Sequence, residues 1–364
     1  MKLHKKIIAT ALALSVAAGS ALCASAAGND AAEPTPSTTV VQLHKFDSVR
    51  TIISRLLKKP TIARHSAVYV TVNDFKYIIH FSIKNGLTAE LVEYHGNDTE
   101  ITVPEFVVKK IPVTKVYSFG ELDENYRHSV KTLNLPKTIK SVTGSSVFDL
   151  FGLENINVST ENPYITSVDG VVFIKDLSKL LAVPPARTSY DIPDEVTAIG
   201  DRACYASSLK SITFPEGLLS IGEYSFFSSP ALKEITLPQS TETVGDYAFA
   251  HCPNLQKAVV PLETELSYSK VFEAAADNFT ALSADTVTLG EEIVIRTYER
   301  DDSSTYAFYC KHSSDKKWHT VQNFTDMNIA VICPDKTGDH RICAKIKAPD
   351  GTVVKNYCNI TVTD

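Results

Sequence analysis

The stretch LLSIGEYSFFSSPALKEITLP, residues 218–238, decides the fold, because the same phrase occurs three times in succession. The copy before it reads VTAIGDRACYASSLKSITFP, residues 196–215, and the copy after it reads ETVGDYAFAHCPNLQKAVVP, residues 242–261. The prolines recur at steps of 22, 23 and 23 residues, at Pro193, Pro215, Pro238 and Pro261. The glycines keep the same step, at Gly200, Gly222 and Gly245.

Two columns of apolar residues follow the same period, and earlier copies of the phrase precede Pro104, Pro136 and Pro184. The columns are Leu209, Leu232 and Leu255, and Cys204, Phe226 and Phe249. A fixed period in the twenties with leucine-type columns is typical of a leucine-rich-repeat solenoid. We therefore predict a mainly β fold over residues 73–262, in which short strands stack into a parallel sheet. Proline ends each strand, and we expect glycine to allow a sharp turn.

The outward residues of these strands are mostly polar and give the candidate binding face. They are Thr132, Asn155, Ser211, Glu234 and Lys257 in one column, and Asn134, Asn157, Thr213 and Thr236 in the next, which continues to Val259. Taken alone, each residue is better explained as a solvated surface position. Taken together they form the best candidate, because solenoids bind partners through extended surfaces.

Three segments resemble the BspA-like family of leucine-rich repeats of bacterial secreted and surface proteins. They are IGEYSFFSSPALKEITLP (221–238), SVDGVVF (167–173) and IKNGLTAELVEYHGNDTEITVPEFVVKKIPVTKV (83–116). The resemblance covers residues 73–262. It implies an extracellular protein that binds or adheres to a protein or glycan, and it implies no catalytic residues.

The N-terminus predicts export. Residues 1–26 combine three lysines, an apolar run and the small-residue site Ala24-Ser25-Ala26, which is typical of a secretory signal peptide. Cleavage after Ala26 removes no acid and lowers the formal charge from −6 to −9. We expect a disordered spacer over residues 27–45, then a helix and cap over residues 46–72. A β-hairpin should turn at Asn73-Asp74, and we expect no transmembrane anchor in the mature chain.

The repeat frame is lost after Pro261, so residues 263–280 are predicted to be a linker. Residues 281–364 alternate between apolar and polar residues in short runs, which predicts an antiparallel β-sandwich. Its segments YAFYCKHSSDKKW and APDGTVVKNY resemble small immunoglobulin-like or fibronectin-like modules. We interpret Trp318 as a core or sheet residue. Because residues 263–280 are predicted to be only a linker, we expect the solenoid to stay folded when residues 281–364 are removed.

The cysteines are predicted to be free thiols. Cys204 and Cys252 lie two repeats apart, beyond the reach of a disulfide. A two-residue turn at Asp350-Gly351 would place Cys343 opposite Cys358, whereas a three-residue loop pairs residue 342 with Cys358 and turns Cys343 outward. We favour the second register, because alternation then places Cys358 inward.

A zinc site is a weak alternative for four of these C-terminal residues. The candidate ligands are Cys310, His312, His340 and Cys343. On a strand, His340 and Cys343 point to opposite faces, so we expect no metal and no cofactor.

These observations favour a secreted or cell-surface-associated protein that binds a protein or glycan. A structural spacer of the cell envelope without a specific ligand remains the alternative, and an enzyme is a weaker one because catalytic motifs are absent. The ordinary charge content gives no indication of a nucleic-acid partner.

Overall fold

The structure is a computed structural model that describes residues 39–42, 68–82, 86–107, 111–276, 279–297 and 303–364. The signal peptide predicted for residues 1–26 and the helix predicted before residue 61 lie outside these residues. The described residues form two compact units. The first runs to Val142 and includes Ile156–Thr166, and the second comprises Thr143–Asn155 and Ser167–Asp364.

A six-stranded sheet forms much of the first unit. Its strands are β1 (Thr39–Gln42), β2 (Val68–Val72), β3 (Phe75–Ser82), β4 (Gly86–Tyr94), β6 (Phe106–Val107) and β7 (Ile111–Val116), in the order β1-β2-β3-β4-β7-β6. The predicted hairpin is confirmed, because β2 pairs antiparallel with β3 around Asn73-Asp74. β1 lies within the segment predicted to be a spacer and pairs parallel with β2.

Antiparallel pairing continues past residue 73, where the solenoid was expected to begin. β3 and β4 have eight and nine residues, whereas the stacked strands of the solenoid have two to four. The first stacked strands are β5 (Glu100–Thr102), β8 (Thr132–Leu135) and β9 (Asn155–Val158). Helix α1 (Glu124–Ser129) precedes β8 and is capped by the Asp123 carboxylate. β5 and β8 pair parallel, so Ile101 lies beside Leu133 in the core.

The second unit contains two rows of short strands. One row holds β13 (Ser189–Asp191), β15 (Ser211–Thr213), β17 (Glu234–Thr236), β19 (Lys257–Val259) and β20 (Thr280–Leu282). The other holds β10 (Ile165–Val168), β11 (Val171–Ile174), β12 (Lys179–Ala182), β14 (Ala198–Ile199), β16 (Ser220–Ile221) and β18 (Thr243–Val244). Helix α2 (Gly144–Val147) precedes these rows. Parallel pairing, as predicted, joins β13 to β15, β14 to β16, β16 to β18 and β17 to β19, whereas β15 and β17 belong to different sheets.

The predicted apolar columns are confirmed. All six residues of the two columns are fully buried in one cluster. Phe226 stacks on Phe249 with ring centroids 5.0 Å apart and planes 10° apart. Each repeat thus buries the ring of its neighbour, which explains why one repeat alone would bury little.

The glycine column has a different role from the one predicted. Gly222 and Gly245 do not have positive φ. A Cβ on Gly222 would lie 2.6 Å from the backbone nitrogen of Asp201, and one on Gly245 would lie 2.7 Å from that of Glu223. Glycine therefore allows close approach of neighbouring repeats. The left-handed turn positions belong to other residues, including Arg202, Tyr224 and Tyr247.

Residues 263–280 continue the stack where a linker was predicted. Helix α3 (Tyr268–Val271) leads to Phe272, which stacks on Phe249 at 5.8 Å with planes 13° apart. β20 then pairs parallel with β19. The repeat was missed because this copy lacks the glycine, although Phe272 follows Phe249 by 23 residues.

The C-terminal residues form a β-sandwich whose first sheet is continuous with the solenoid. This sheet runs in the order β17-β19-β20-β22-β25, where β22 is Ile293–Thr297 and β25 is Ile329–Ile332. The second sheet holds β21 (Thr286–Thr288), β23 (Thr305–His312), β24 (His319–Thr325), β26 (Gly338–Lys347) and β27 (Val353–Thr363), in the order β21-β27-β26-β23-β24. We call the structure formed by β20 to β27 the C-terminal sandwich.

The core of the C-terminal sandwich lies between its two sheets. It includes Leu282, Ile295, Phe308 and Ile342. Of the two alternatives for Trp318, the core position is wrong, because Trp318 is 38% exposed and lies outside this cluster, while its ring lies 6.1 Å from that of Tyr357 on the second sheet. Trp318 lies in the turn before β24. It is therefore not one of the alternate strand residues whose side chains fill the core.

The structure pairs Ile342 with Cys358, which confirms the favoured register. Cys358 lies in the core, and Cys343 lies on the opposite face of the sheet. Cys343 is nevertheless only 3% exposed, because its neighbours on β23 and β27 are Tyr309 and Tyr357. The six cysteines among the described residues are free thiols.

Candidate binding face

Six exposed polar side chains project from three consecutive strands of the solenoid, and we call them the polar face. They are Ser189 and Asp191 on β13, Ser211 and Thr213 on β15, and Glu234 and Thr236 on β17. The residue between each pair points inward and packs with the core. Period-two alternation therefore separates a polar surface from an apolar interior on strands of only three residues.

Hydrogen bonding within the polar face joins neighbouring repeats. The Thr213 hydroxyl donates to the Asp191 carboxylate at 2.6 Å. Ser189 and Ser211 lie directly opposite each other, as do Asp191 and Thr213. The face thus presents hydroxyls and two carboxylates, which suit hydrogen bonding to a polar partner.

The polar face ends at β19, where the C-terminal sandwich covers the strands. Val259 is 3% exposed, and Leu282 beside it belongs to the core of the sandwich. The Lys257 ammonium lies 3.1 Å from the Asp285 carboxylate. Lys257 and Val259 lie beside Glu234 and Thr236 on the neighbouring strand, in the register of the predicted columns, but Lys257 is half-buried and Val259 is buried.

The first unit carries a hydrogen-bonded row of its own. The Asn134 amide donates to Glu100 Oε1 at 2.7 Å and to Thr102 Oγ1 at 3.2 Å. The Asn157 amide donates in turn to Asn134 Oδ1 at 2.9 Å. Thr132 lies opposite Glu100 on the neighbouring strand. These contacts bring Asn134 and Asn157 together, and Thr132 lies two residues before Asn134 on β8.

Asn155 begins β9, beside β8, whereas β13 carries two residues that the predicted columns did not include. Asn155 Oδ1 accepts a hydrogen bond from Arg187 at 3.4 Å. Ser189 and Asp191 were missed, although the signal was present: Ser189 precedes Pro193 by four residues, as Ser211 precedes Pro215. Tyr190 between them is buried, and burial raises its pKa to about 12, so its hydroxyl stays protonated at neutral pH.

An open groove of about 710 Å³ lies on the other row of strands. It is lined by four carboxylates, one from each successive repeat, namely Asp201, Glu223, Asp246 and Glu265. Lys270 pairs with Asp246 at 2.7 Å, and this hydrogen bond raises the pKa of the Lys270 ammonium. The groove is therefore acidic, and the Lys270 ammonium neutralises part of its negative charge.

The zinc candidates do not converge. Cys310 lies in the core of the sandwich, whereas Cys343 is on the other face of the sheet. The His312 and His340 rings contact each other edge to face at 4.8 Å. Within the described part of the chain, no group of three or more His, Cys, Asp or Glu side chains is arranged to hold a metal ion. Among the same residues, no helix combines the length and apolar character needed to cross a membrane.

Comparison with solved structures finds bacterial repeat proteins of low sequence identity. A leucine-rich repeat protein from Eubacterium ventriosum is 19% identical, with 60% of this chain and 78% of that chain covered and a TM-score of 0.39. The pneumococcal vaccine antigen PcpA is 18% identical, with 60% and 81% covered and a TM-score of 0.32. A leucine rich cell surface protein from Faecalibacterium prausnitzii is 14% identical, with 60% and 95% covered and a TM-score of 0.28.

No curated protein matches the chain significantly. The family described as BspA type leucine rich repeat region matches residues 186–294 in six copies. This range includes β13, β15, β17, β19 and β20, whose parallel stacking was described above. The match also extends beyond residue 262 into the segment that was predicted to be a linker. Residues 186–294 are therefore similar to leucine-rich-repeat regions of the BspA type.

Proposed function

We propose that this protein is a secreted or cell-surface-associated binding protein that holds an extracellular protein or glycan on its polar face. The observation that carries the proposal is the unbroken exposure of all six polar side chains on β13, β15 and β17. Repeat proteins use such extended surfaces to bind partners. The BspA-type repeats support the same role.

The spacing of the polar face suits a partner with regularly placed hydrogen-bonding groups. Neighbouring strands in a sheet lie about 4.8 Å apart, so the polar side chains of the paired strands β13 and β15 recur at that interval. Backbone hydrogen bonds of the stacked repeats fix these positions before a partner arrives. A pre-organised surface loses little conformational entropy on binding.

The test is binding of the full chain to immobilised matrix proteins, mucin and purified cell wall. The variant Ser211→Arg with Glu234→Arg places two large side chains on the polar face, and it should abolish binding to the probe that the wild-type chain retains. The control Ser208→Arg with Glu223→Arg makes the same changes at exposed positions outside the face, and it should bind normally. Failure of every probe to bind, or equal binding by both variants, would contradict the proposal.

We also propose that the C-terminal sandwich is immunoglobulin-like. Supporting this, the consecutive strands β22 and β23 lie in different sheets, and β25 returns to β22 before β26 rejoins the second sheet. Such crossings are typical of the Greek-key connections of immunoglobulin folds. An experimental structure with the same strand order would support this assignment, and pairing of β22 with β23 in one sheet would refute it.

A further inference from the structure

The outer face of the second sheet of the C-terminal sandwich is cationic. Outward positions alternate with core positions along β23, β26 and β27. Five of these outward positions carry a positive charge, at Lys311, Arg341, Lys345, Lys347 and Lys355, and we call these residues the cationic face. Asp339 is the one acid at the outward positions of these three strands. The chain as a whole has a formal charge of −6, so the positive charge is a local feature.

This arrangement of charge does not serve the stability of the fold. Lys345 lies directly opposite Lys355 on the neighbouring strand, and like charges at facing positions destabilise a sheet. Among the residues that the structure describes, none of the five cations forms an ion pair, whereas Lys257 and Lys336 of the same unit do. A cluster that costs stability and lacks internal partners is available to an external anion.

Aromatic rings hold two of the cations in place. The Arg341 guanidinium lies 4.5 Å from the centre of the Tyr357 ring, and the Lys345 ammonium lies 4.3 Å from the centre of the Tyr309 ring. Such cation–π contacts restrict long side chains that would otherwise be mobile. Trp318 extends the aromatic surface, with its ring 6.1 Å from that of Tyr357. The face therefore combines positioned charges with an exposed aromatic plane.

We propose that the cationic face binds a linear acidic polysaccharide. Carboxylate or sulfate groups would pair with Arg341, Lys345 and Lys355, and the C–H face of a sugar ring would pack on Trp318. Outward neighbours along β26 are about 6.7 Å apart, so the charges follow an extended chain. This inference is independent of the polar face and concerns a second surface.

Other partners fit the cationic face less well. The core of a protein interface is depleted of charged residues, whereas the row of Tyr309, Cys343 and Tyr357 on this face is bordered by Arg341 on one side and by Lys345 and Lys355 on the other. Duplex nucleic acid satisfies the charges but stacks its bases internally and offers no surface to Trp318. Sugar rings supply both the anionic groups and the apolar C–H surface.

The test is binding of the full chain to chondroitin sulfate, with neutral dextran as a negative control, over a series of salt concentrations. The wild-type chain should bind chondroitin sulfate and not dextran. In the variant Lys345→Ser with Lys355→Ser, affinity should fall about tenfold or more, and the slope of affinity against salt should decrease because fewer counterions are released. Its thermal midpoint should not fall, since two facing like charges are removed.

Matched variants distinguish binding at the cationic face from nonspecific attraction to the positive charge of the whole protein. Lys210→Ser with Lys233→Ser removes the same charge from exposed positions of the solenoid and should keep affinity within about twofold. Trp318→Ser should weaken chondroitin sulfate binding severalfold, whereas Tyr117→Ser, at another exposed ring, should not. The proposal is overturned if the wild-type chain does not bind, if both lysine pairs have equal effects, or if duplex DNA or anionic lipid vesicles bind more tightly than the polysaccharide.

Discussion

Replacing Gly222 with alanine tests directly how closely the repeats approach each other. An added Cβ would lie 2.6 Å from the Asp201 nitrogen and 2.8 Å from the Gly200 carbonyl carbon. Both atoms belong to the backbone of the preceding repeat, so no side-chain rotation relieves the overlap. The two repeats must instead move apart by several tenths of an ångström.

The expected cost follows from two contributions. Overpacking of a close contact costs about 1 to 3 kcal/mol. Separation also lengthens the hydrogen bond from Gly222 N to the Ile199 carbonyl, now 2.9 Å, and the bond from Glu223 N to Asp201 Oδ1, now 3.0 Å. Each such bond contributes about 1 kcal/mol. We therefore expect Gly222→Ala to lower the free energy of unfolding by about 2 to 4 kcal/mol.

Gly217→Ala is the matched control, because the nearest atom to its added Cβ is the Asp194 carbonyl oxygen at 4.0 Å. The φ of Gly217 is not in the left-handed region. Alanine there should be neutral or should stabilise by up to about 1 kcal/mol, since it restricts the unfolded chain. Urea unfolding followed by circular dichroism compares the two variants. A difference below about 0.5 kcal/mol would refute close stacking as the role of this column.

Three further outcomes are expected. Phe226→Ala should lower the free energy of unfolding by about 3 to 5 kcal/mol, measured by urea unfolding, whereas Tyr117→Ala at an exposed ring should stay within about 0.5 kcal/mol. Among the described cysteines, exposed Cys333 should be alkylated first in the native protein, as mapped by mass spectrometry. Burial raises the pKa of Cys252 to about 12, so raising the pH from about 7 to about 9 leaves it a protonated, slow thiol; fast native alkylation of Cys252 would contradict its burial. Removing residues 281–364 should lower the thermal midpoint of the solenoid by about 5 °C or more in calorimetry, and an unchanged midpoint would support an independent solenoid.

The regular period made much of the fold predictable. Leu232 and Phe226 repeat at a fixed step from the residues they contact, so the sequence order alone identifies their neighbours. The period fails at residues 263–280, where the glycine is absent and only Phe272 keeps its place. The turn residues with positive φ, such as Tyr224, could not be predicted, because their conformation is imposed by stacking rather than favoured by their own side chains.

The candidate sites depended more on contacts between distant segments. Alternation along β26 predicted correctly that Cys343 faces away from the core. Its burial depends on Tyr309 and Tyr357, which come from two other strands. In the same way, Lys257 lies beside Glu234 as its column predicted, but it pairs with Asp285, 28 residues away in a segment with no repeat pattern. A single-sequence pattern carries little information about such contacts.

The sheet shared by the solenoid and the C-terminal sandwich has a mechanical consequence. β20 pairs with β19 on one side and with β22 on the other, so the two parts are joined by rows of backbone hydrogen bonds. A pulling force applied to a ligand on the sandwich would be transmitted to the solenoid directly, because no flexible linker between the two would have to extend first. The force would act on the hydrogen bonds of the β19–β20 and β20–β22 pairs together. The junction would therefore resist extension as a rigid connection.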